Sequence, residues 1–137
     1  MQADLYVETN MNFNSHSGMV GYILVLTKDN GQTEELRRKK SYEDTTTTRA
    51  MIQAINMALG HLRPCKVRLW IDNSTIINAM TKGWIEEWEQ NGWKNKRGKP
   101  VGEEWASLVV NMRLFDIEVY AKMHNPYKVQ IQSALKA

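Results

Sequence analysis

Apolar residues recur at three- and four-residue spacing between Met51 and Leu62, and this is the feature that most restricts the fold. The spacing puts these side chains on one face of an α-helix, for which the threonines before Arg49 provide an N-cap. Residues 1–40 instead contain three strand-like runs, and Asp29-Asn30-Gly31 between the last two is a strong hairpin signal. Strands followed by an amphipathic helix predict a sheet with helices packed on it.

The remainder of the chain alternates short helices with strands. We predict a strand in KVRLWID, a short helix that begins at Ser74 and is ended by Gly83, and a helical piece around Trp84 and Trp88. After the loop NGWKNKRGKPVG, the patterns predict a helix in EEWASLVVNM, an alternating strand in FDIEVYAKM and a final helix in KVQIQSALKA. The 137 residues are therefore expected to form one α/β domain spanning 1–137.

Basic residues are concentrated in two segments of the chain. Lysine and arginine total 18 against 15 acidic residues, and Arg37–Lys40 forms one uninterrupted basic run. The segment from Trp93 to Pro100 adds four cations without an acid, and no carboxylate side chain follows Glu118. Such patches suit a polyanion such as nucleic acid, but a solvated basic surface is the common alternative.

The sequence also bears on location. It contains no run of ~18 apolar residues, and its opening MQADLYVETN lacks the layout of a signal peptide. Cys65 is the single cysteine and has no Cys or His at zinc spacing, which favours a small buried hydrophobe in a reducing compartment. We therefore expect a cytoplasmic protein with no membrane association.

Two acids lie at the carboxyl ends of predicted strands, where α/β sheets gather their chemistry. Glu8 closes LYVE and Asp72 closes VRLWID. Such a pair of carboxylates is a candidate site for chemistry. Asp72 or Asn73 equally suits the N-cap of the helix in STIINAM, so the structural and the chemical role both stay open at this point.

The order of elements, together with several stretches of sequence, resembles the type 1 ribonucleases H over nearly the whole chain. The stretches are YVETN, GMVGYILVL, TTTTRAMIQAINMAL, LWIDNSTIINAM, GWIEEWEQNGWKNKRGKPV and VYAKMHNP. The fifth is the most specific, because bacterial members match it almost position by position at Trp84, Trp88, Trp93, Gly92, Lys94 and Lys99-Pro100-Val101. The resemblance implies an α/β ribonuclease H-like fold, with a five-stranded mixed sheet flanked by helices and with a basic protrusion.

Members of this family hydrolyse the RNA strand of RNA–DNA hybrids with two magnesium ions, which four carboxylates hold close together. By resemblance, the four ligand positions fall on Glu8, Met51, Asp72 and either Gln132 or Ala134. Magnesium avoids thioether ligands, so Met51 cannot replace a carboxylate, and neither candidate for the fourth position is acidic. Glu8 and Asp72 are left as residual catalytic and metal-binding residues, which would hold one Mg²⁺ or Mn²⁺ weakly or none.

Positions that bind the hybrid are better preserved than those that hold metal. By resemblance, Asn14, Thr46, Thr48 and Ser74 occupy positions that contact the minor groove or a backbone phosphate, and polar contacts to 2′-hydroxyls distinguish RNA from DNA. The threonines have an alternative role as N-cap and strand-end residues. His124 matches a loop histidine that assists turnover, although without the downstream acid a surface histidine is the simpler interpretation.

The predicted protrusion combines aromatic and cationic side chains that can grip a sugar–phosphate backbone. Trp84 and Trp88 lie four residues apart on a helix and are expected in the core. The candidate contacts are Trp93, Lys94, Lys96, Arg97 and Lys99.

The sequence therefore predicts a ribonuclease H-like domain that binds an RNA–DNA hybrid or another nucleic acid and has lost much or all of its hydrolytic activity. One alternative is an active Mg²⁺- or Mn²⁺-dependent nuclease that uses Glu8 and Asp72. Another is a protein-interaction module whose basic loop meets an acidic protein partner.

Overall fold

The computed structural model describes residues 1–121 and 125–136, along which strands come first and helices dominate later. The strands are β1 (Gln2–Thr9), β2 (Gly18–Thr27), β3 (Thr33–Tyr42), β4 (Lys66–Ile71) and β5 (Asp116–Ala121). The helices are α1 (Thr47–Leu59), α2 (Ser74–Thr81), α3 (Trp84–Gln90), α4 (Glu103–Leu114) and α5 (Lys128–Leu135).

The strands form one mixed sheet in the order β3-β2-β1-β4-β5. The central strand β1 pairs antiparallel with β2 and parallel with β4, and β5 is parallel to β4. The hairpin between β2 and β3 turns at the predicted position, where Gly31 has a φ of +85°, a conformation that costs glycine little. The predicted five-stranded mixed sheet with flanking helices is confirmed.

The side chains of β1 enter two different cores, one on each face of the sheet, because successive side chains of a strand point to opposite sides. Ala3, Leu5 and Val7 are buried in the larger core together with the apolar face of α1. Tyr6 belongs instead to a smaller core beneath α5. Glu8 lies two residues further along β1 and therefore faces the same side as Tyr6.

The helix α1 fills the centre of the larger core. It begins after Thr46, whose hydroxyl accepts a hydrogen bond from the backbone N–H of Arg49, so the predicted helix and its threonine cap are confirmed. Met51 and Ile55 are 2% and 0% exposed. Arg49 also forms an ion pair of 3.0 Å with the buried Glu104, which ties the first turn of α1 to α4.

The helix α5 packs on the opposite face, over β1 and β2. Ile131 and Leu135 join Tyr6 and Ile23 in the smaller core. Gly21 permits this close approach, because a Cβ at that position would lie 2.9 Å from Cγ2 of Ile131. The contact fixes which side of α5 faces the sheet and hence which of its polar residues reaches β1.

Residues 91–102, here called the basic loop, fold back on themselves. Lys94 and Pro100 form an isolated antiparallel bridge, and the side-chain oxygen of Asn95 accepts hydrogen bonds from the backbone N–H groups of Arg97 and Lys99. These bonds close a tight turn at the tip of the loop. That the loop projects as a protrusion stays a prediction.

Two smaller expectations concern the membrane and the cysteine. Every helix within residues 1–121 and 125–136 is too short or too polar to cross a bilayer. Cys65 is half-buried and packs against the larger core, and burial raises the pKa of its thiol. The side chain therefore has the environment expected of a small hydrophobe.

Candidate metal-ligand cluster and nucleic-acid interface

Glu8 and Asp72 lie at the carboxyl ends of two neighbouring parallel strands, β1 and β4. The register of β1 and β4 pairs Tyr6 with Trp70, each two residues before one of the acids. Both acids therefore lie at the same end of the sheet, where the carboxyl ends of the parallel strands meet. Their side chains have different neighbours, because Glu8 contacts Gln132 of α5, whereas Asp72 lines a groove at the starts of α1 and α2.

Both oxygens of the Glu8 carboxylate accept hydrogen bonds from side-chain amides. Asn125 donates from Nδ2 to Oε2 at 2.9 Å, and Gln132 donates from Nε2 to Oε1 at 3.3 Å. Gln132 also donates to the backbone oxygen of Thr9 at 3.1 Å, which fixes the direction of its amide. We call Glu8, Asn125 and Gln132 the amide cluster.

The two candidates for the fourth ligand position have different surroundings. Gln132 contacts Glu8, whereas Ala134 lines a cleft between α5 and β3, and its backbone oxygen accepts a hydrogen bond from Lys39. Asn125, which the sequence did not single out, is 9% exposed and holds the other oxygen of Glu8. An asparagine before a proline gives no sign of a carboxylate partner so far away along the chain.

Met51 lies in the core, and Asp72 lies in solvent. The Met51 sulfur is 3.6 Å from Nδ2 of Asn73, whose Oδ1 accepts a hydrogen bond from the backbone N–H of Ile76. Asn73 is therefore the N-cap of α2, which settles the choice between Asp72 and Asn73. Asp72 is exposed, and its carboxylate has no hydrogen-bond or ion-pair partner within the described ranges.

The donors at these positions do not fit a pair of magnesium ions. Magnesium requires oxygen ligands, but Met51 offers a thioether and Gln132 turns an N–H group toward Glu8. Among residues 1–121 and 125–136, no three His, Cys, Asp or Glu side chains come close enough to share a metal. His124 lies outside the described residues.

A groove of about 600 Å³ lies beside these positions, between the starts of α1 and α2. Hydroxyl groups line much of it, and we call it the hydroxyl groove. Its lining includes Thr46, Thr48, Asp72, Ser74 and Phe13. The structure thus brings three of the predicted hydroxyl contacts to one surface. Asn14 lies in the adjoining loop 10–17, where its backbone N–H donates to Asn12.

The tryptophans of the predicted protrusion all pack against the larger core. Trp84, Trp88 and Trp93 are partly buried there, which agrees with expectation for the first two. Trp93, expected as a contact, has a φ of 65°, which is uncommon for a bulky residue, and its backbone N–H donates to the backbone oxygen of Trp88 at 2.6 Å. Its indole is anchored within the fold rather than fully presented to solvent.

The cations of the basic loop are exposed and border a second cleft. Lys94, Lys96, Arg97 and Lys99 all point into solvent. The cleft, of about 460 Å³, is lined by Lys96 and Arg97 together with Trp84, Trp88 and Lys82. Lys82 was not singled out from the sequence, because a lone lysine before a glycine carries no signal. Cations from the basic loop and from the end of α2 therefore line the same cleft, together with the acid Glu87.

Comparison with known families gives an extended match. The family profile described as RNase H matches residues 2–125 of the chain. The ribonuclease H of Nitratidesulfovibrio vulgaris is 36% identical over 111 residues, which cover 79% of this chain and 69% of that protein.

Other relatives match over shorter segments or in fold alone. The ribonuclease H of Symbiobacterium thermophilum is 39% identical over 77 residues, 54% of this chain, and the match spans about half of that protein, 52% of its length. A solved type 1 RNase H with the type 2 active-site motif superposes with a TM-score of 0.68 at 23% identity, over 97% of this chain and 68% of that one. This likeness concerns the fold.

Proposed function

This chain belongs to the ribonuclease H family, and from that membership we propose that it binds RNA–DNA hybrids with little or no hydrolysis of the RNA strand. The observation that carries the proposal is the amide cluster, in which both oxygens of Glu8 accept hydrogen bonds from neutral side chains. Each N–H group takes one of the two lone pairs of its oxygen, which leaves fewer sites for a divalent cation. A divalent cation at Glu8 would therefore share the carboxylate with two neutral amides, which add no negative charge to hold it.

The other two ligand positions strengthen the case against efficient hydrolysis. In two-metal catalysis, the ions stabilise the attacking and the leaving oxygens of the scissile phosphate, and clustered carboxylates hold the ions together. Met51 is buried and Gln132 is neutral, so neither supplies an anionic oxygen. Glu8 and Asp72 remain as a pair that would bind one Mg²⁺ or Mn²⁺ weakly.

The hydroxyl groove supports binding of the hybrid. Thr46, Thr48 and Ser74 place hydroxyl groups along one surface, and such groups can donate to and accept from the 2′-hydroxyls of an RNA strand. The exposed cations of the basic loop are suited to phosphates, which supply most of the affinity and none of the sequence preference. Recognition of the duplex does not require the missing carboxylates.

A cleavage assay tests this proposal directly. Purified protein is incubated with a labelled RNA–DNA hybrid and Mg²⁺ or Mn²⁺, and binding is measured in parallel in a chelating buffer. We expect salt-sensitive binding without significant cleavage. Cleavage that Asp72→Asn abolishes would establish the active nuclease instead. An absence of hybrid binding at low salt would favour the protein-interaction module.

A further inference from the structure

Phe13 is the most exposed large hydrophobic side chain among the described residues, with 89% of its surface open to solvent. Single exposed apolar residues are common on protein surfaces and need no partner. Val129 on α5, 78% exposed, is of this kind. Phe13 differs because it lies at the hydroxyl groove, beside Thr46 and Thr48. Its location, more than its exposure, points to a role in what the groove binds.

The turn that carries Phe13 is held by hydrogen bonds. The side-chain oxygen of Asn12 accepts from the backbone N–H of Asn14 at 2.9 Å and from the hydroxyl of Ser15 at 3.2 Å. The hydroxyl of Thr47 donates to the backbone oxygen of Asn12, which ties the turn to the start of α1. Phe13 therefore projects from a fixed point next to the helix that forms one wall of the groove.

We propose that Phe13 is an apolar wedge that enters the minor groove of a duplex bound along the hydroxyl groove and unstacks one base step. The inference rests on the proposed function, because it requires a duplex at that surface. Proteins that bind the minor groove often combine polar contacts to its edges with an inserted apolar side chain such as phenylalanine. Thr46, Thr48 and Ser74 supply the polar contacts here, and Phe13 supplies the ring.

The wedge is tested with a series of hybrids, each with a single 2-aminopurine at a different position of the DNA strand. The fluorescence of this base increases when it is unstacked. We expect wild-type protein to raise the fluorescence at one step. Phe13→Ala should remove that rise and weaken binding roughly ten-fold, the loss expected for one base–aromatic contact. Phe13→Leu should keep part of both effects, since a branched apolar side chain can still enter the groove.

Val129→Ala is the matched control, because it removes an exposed apolar side chain that lies on α5 and away from the lining of the hydroxyl groove. It should leave fluorescence and affinity unchanged. The slope of affinity against salt should also stay the same in Phe13→Ala, since the ring neutralises no phosphate. Thermal unfolding of Phe13→Ala should match wild type because the side chain is exposed.

Different results would reject different claims. Wild-type affinity and fluorescence in Phe13→Ala would overturn the wedge and leave the proposed function intact. No binding of any hybrid by the wild type would overturn both. A dimer in sedimentation that Phe13→Ala dissociates would also overturn the wedge, because a second copy of the chain would then cover the ring.

Discussion

At the scale of single residues, the four predicted ligand positions differ in whether the side chain offers an oxygen to a metal ion or an N–H group to a neighbour. Glu8 keeps the charge that coordination needs, but Asn125 and Gln132 meet it with N–H groups. An amide satisfies a carboxylate by hydrogen bonding and adds no net charge to the site. The Glu8 carboxylate is therefore satisfied without a metal ion. Replacing neutral residues at the ligand positions with acids tests this interpretation.

Met51→Glu combined with Gln132→Asp should restore metal binding, with Mn²⁺ affinity rising roughly ten-fold or more over wild type because two anionic oxygen donors are added. Isothermal titration of the apo protein with Mn²⁺ measures this. The matched control is Met51→Glu combined with Ala134→Asp, which adds the same charge. Since Ala134 lines the cleft toward β3, its acid should contribute little. Equal increases in the two variants would contradict the placement of Gln132 at the ligand position.

Some site residues could be predicted from the sequence, and others could not. Glu8, Met51 and Asp72 sit at positions fixed by strand ends and by the start of a helix, which local pattern and family resemblance locate. The roles of Asn125 and Phe13 depend on how loops that are distant in sequence fold against the sheet. The different surroundings of Gln132 and Ala134 depend on the rotation of α5, which its packing against Gly21 decides.

At the scale of elements, two neighbouring polar residues at the start of α2, Asp72 and Asn73, differ in what they contribute to the stability of the fold. Asn73 caps the helix by accepting from the N–H of Ile76 at 3.0 Å, and its amide also donates to the hydroxyl of Thr48 at 3.3 Å. The same side chain thus begins one helix and contacts another. Asp72 does neither, which leaves its carboxylate directed toward the groove.

Asn73→Ala should lower the free energy of unfolding by about 1 kcal/mol, the usual loss for an N-cap. Asp72→Ala, which removes an exposed carboxylate one residue earlier, should change it by much less. Urea unfolding followed by circular dichroism compares the two variants. A larger loss for Asp72→Ala would mean that Asp72 carries the cap in solution.

The elements themselves followed from local patterns, because the periodicity of α1 and the hairpin turn at Gly31 depend on neighbours in sequence. The least regular segment, the basic loop, was harder to interpret. The conformation of Trp93 arises from a backbone bond to Trp88 and from a bridge across the loop, neither of which is visible in residue spacing. Trp93 is partly buried, and its role as a contact with nucleic acid stays a prediction.

At the scale of the whole molecule, a net charge of +3 says less than the location of the cations. Those of the basic loop border a cleft with two tryptophans, whereas Arg37–Lys40 lie on the edge strand β3. Both sets are equally basic, so a purely electrostatic attraction would treat them alike. A specific binding site for the phosphate backbone at the basic loop would instead make the cations of that loop contribute more than Arg37–Lys40.

Replacing Lys94, Lys96, Arg97 and Lys99 with glutamine should weaken hybrid binding and reduce the slope of log affinity against log salt by about one for each phosphate that is no longer neutralised. Glutamine at each position of Arg37–Lys40 removes the same charge from another surface and is the control. It should have the smaller effect on the slope. Anisotropy titrations at several salt concentrations measure both, and indistinguishable slopes would argue against the basic loop as the region that binds phosphate.

The charged side chains of β3 also affect how readily the protein aggregates through the edge of its sheet. This strand ends the sheet, and its outer backbone groups are free to pair with a strand from another molecule, as at any sheet edge. A second copy added there in register would set Arg37 and Lys39 against their own counterparts, and like charges placed opposite each other repel. Concentrated solutions of the protein should therefore resist fibril growth along this edge, and neutralising the run should remove that protection.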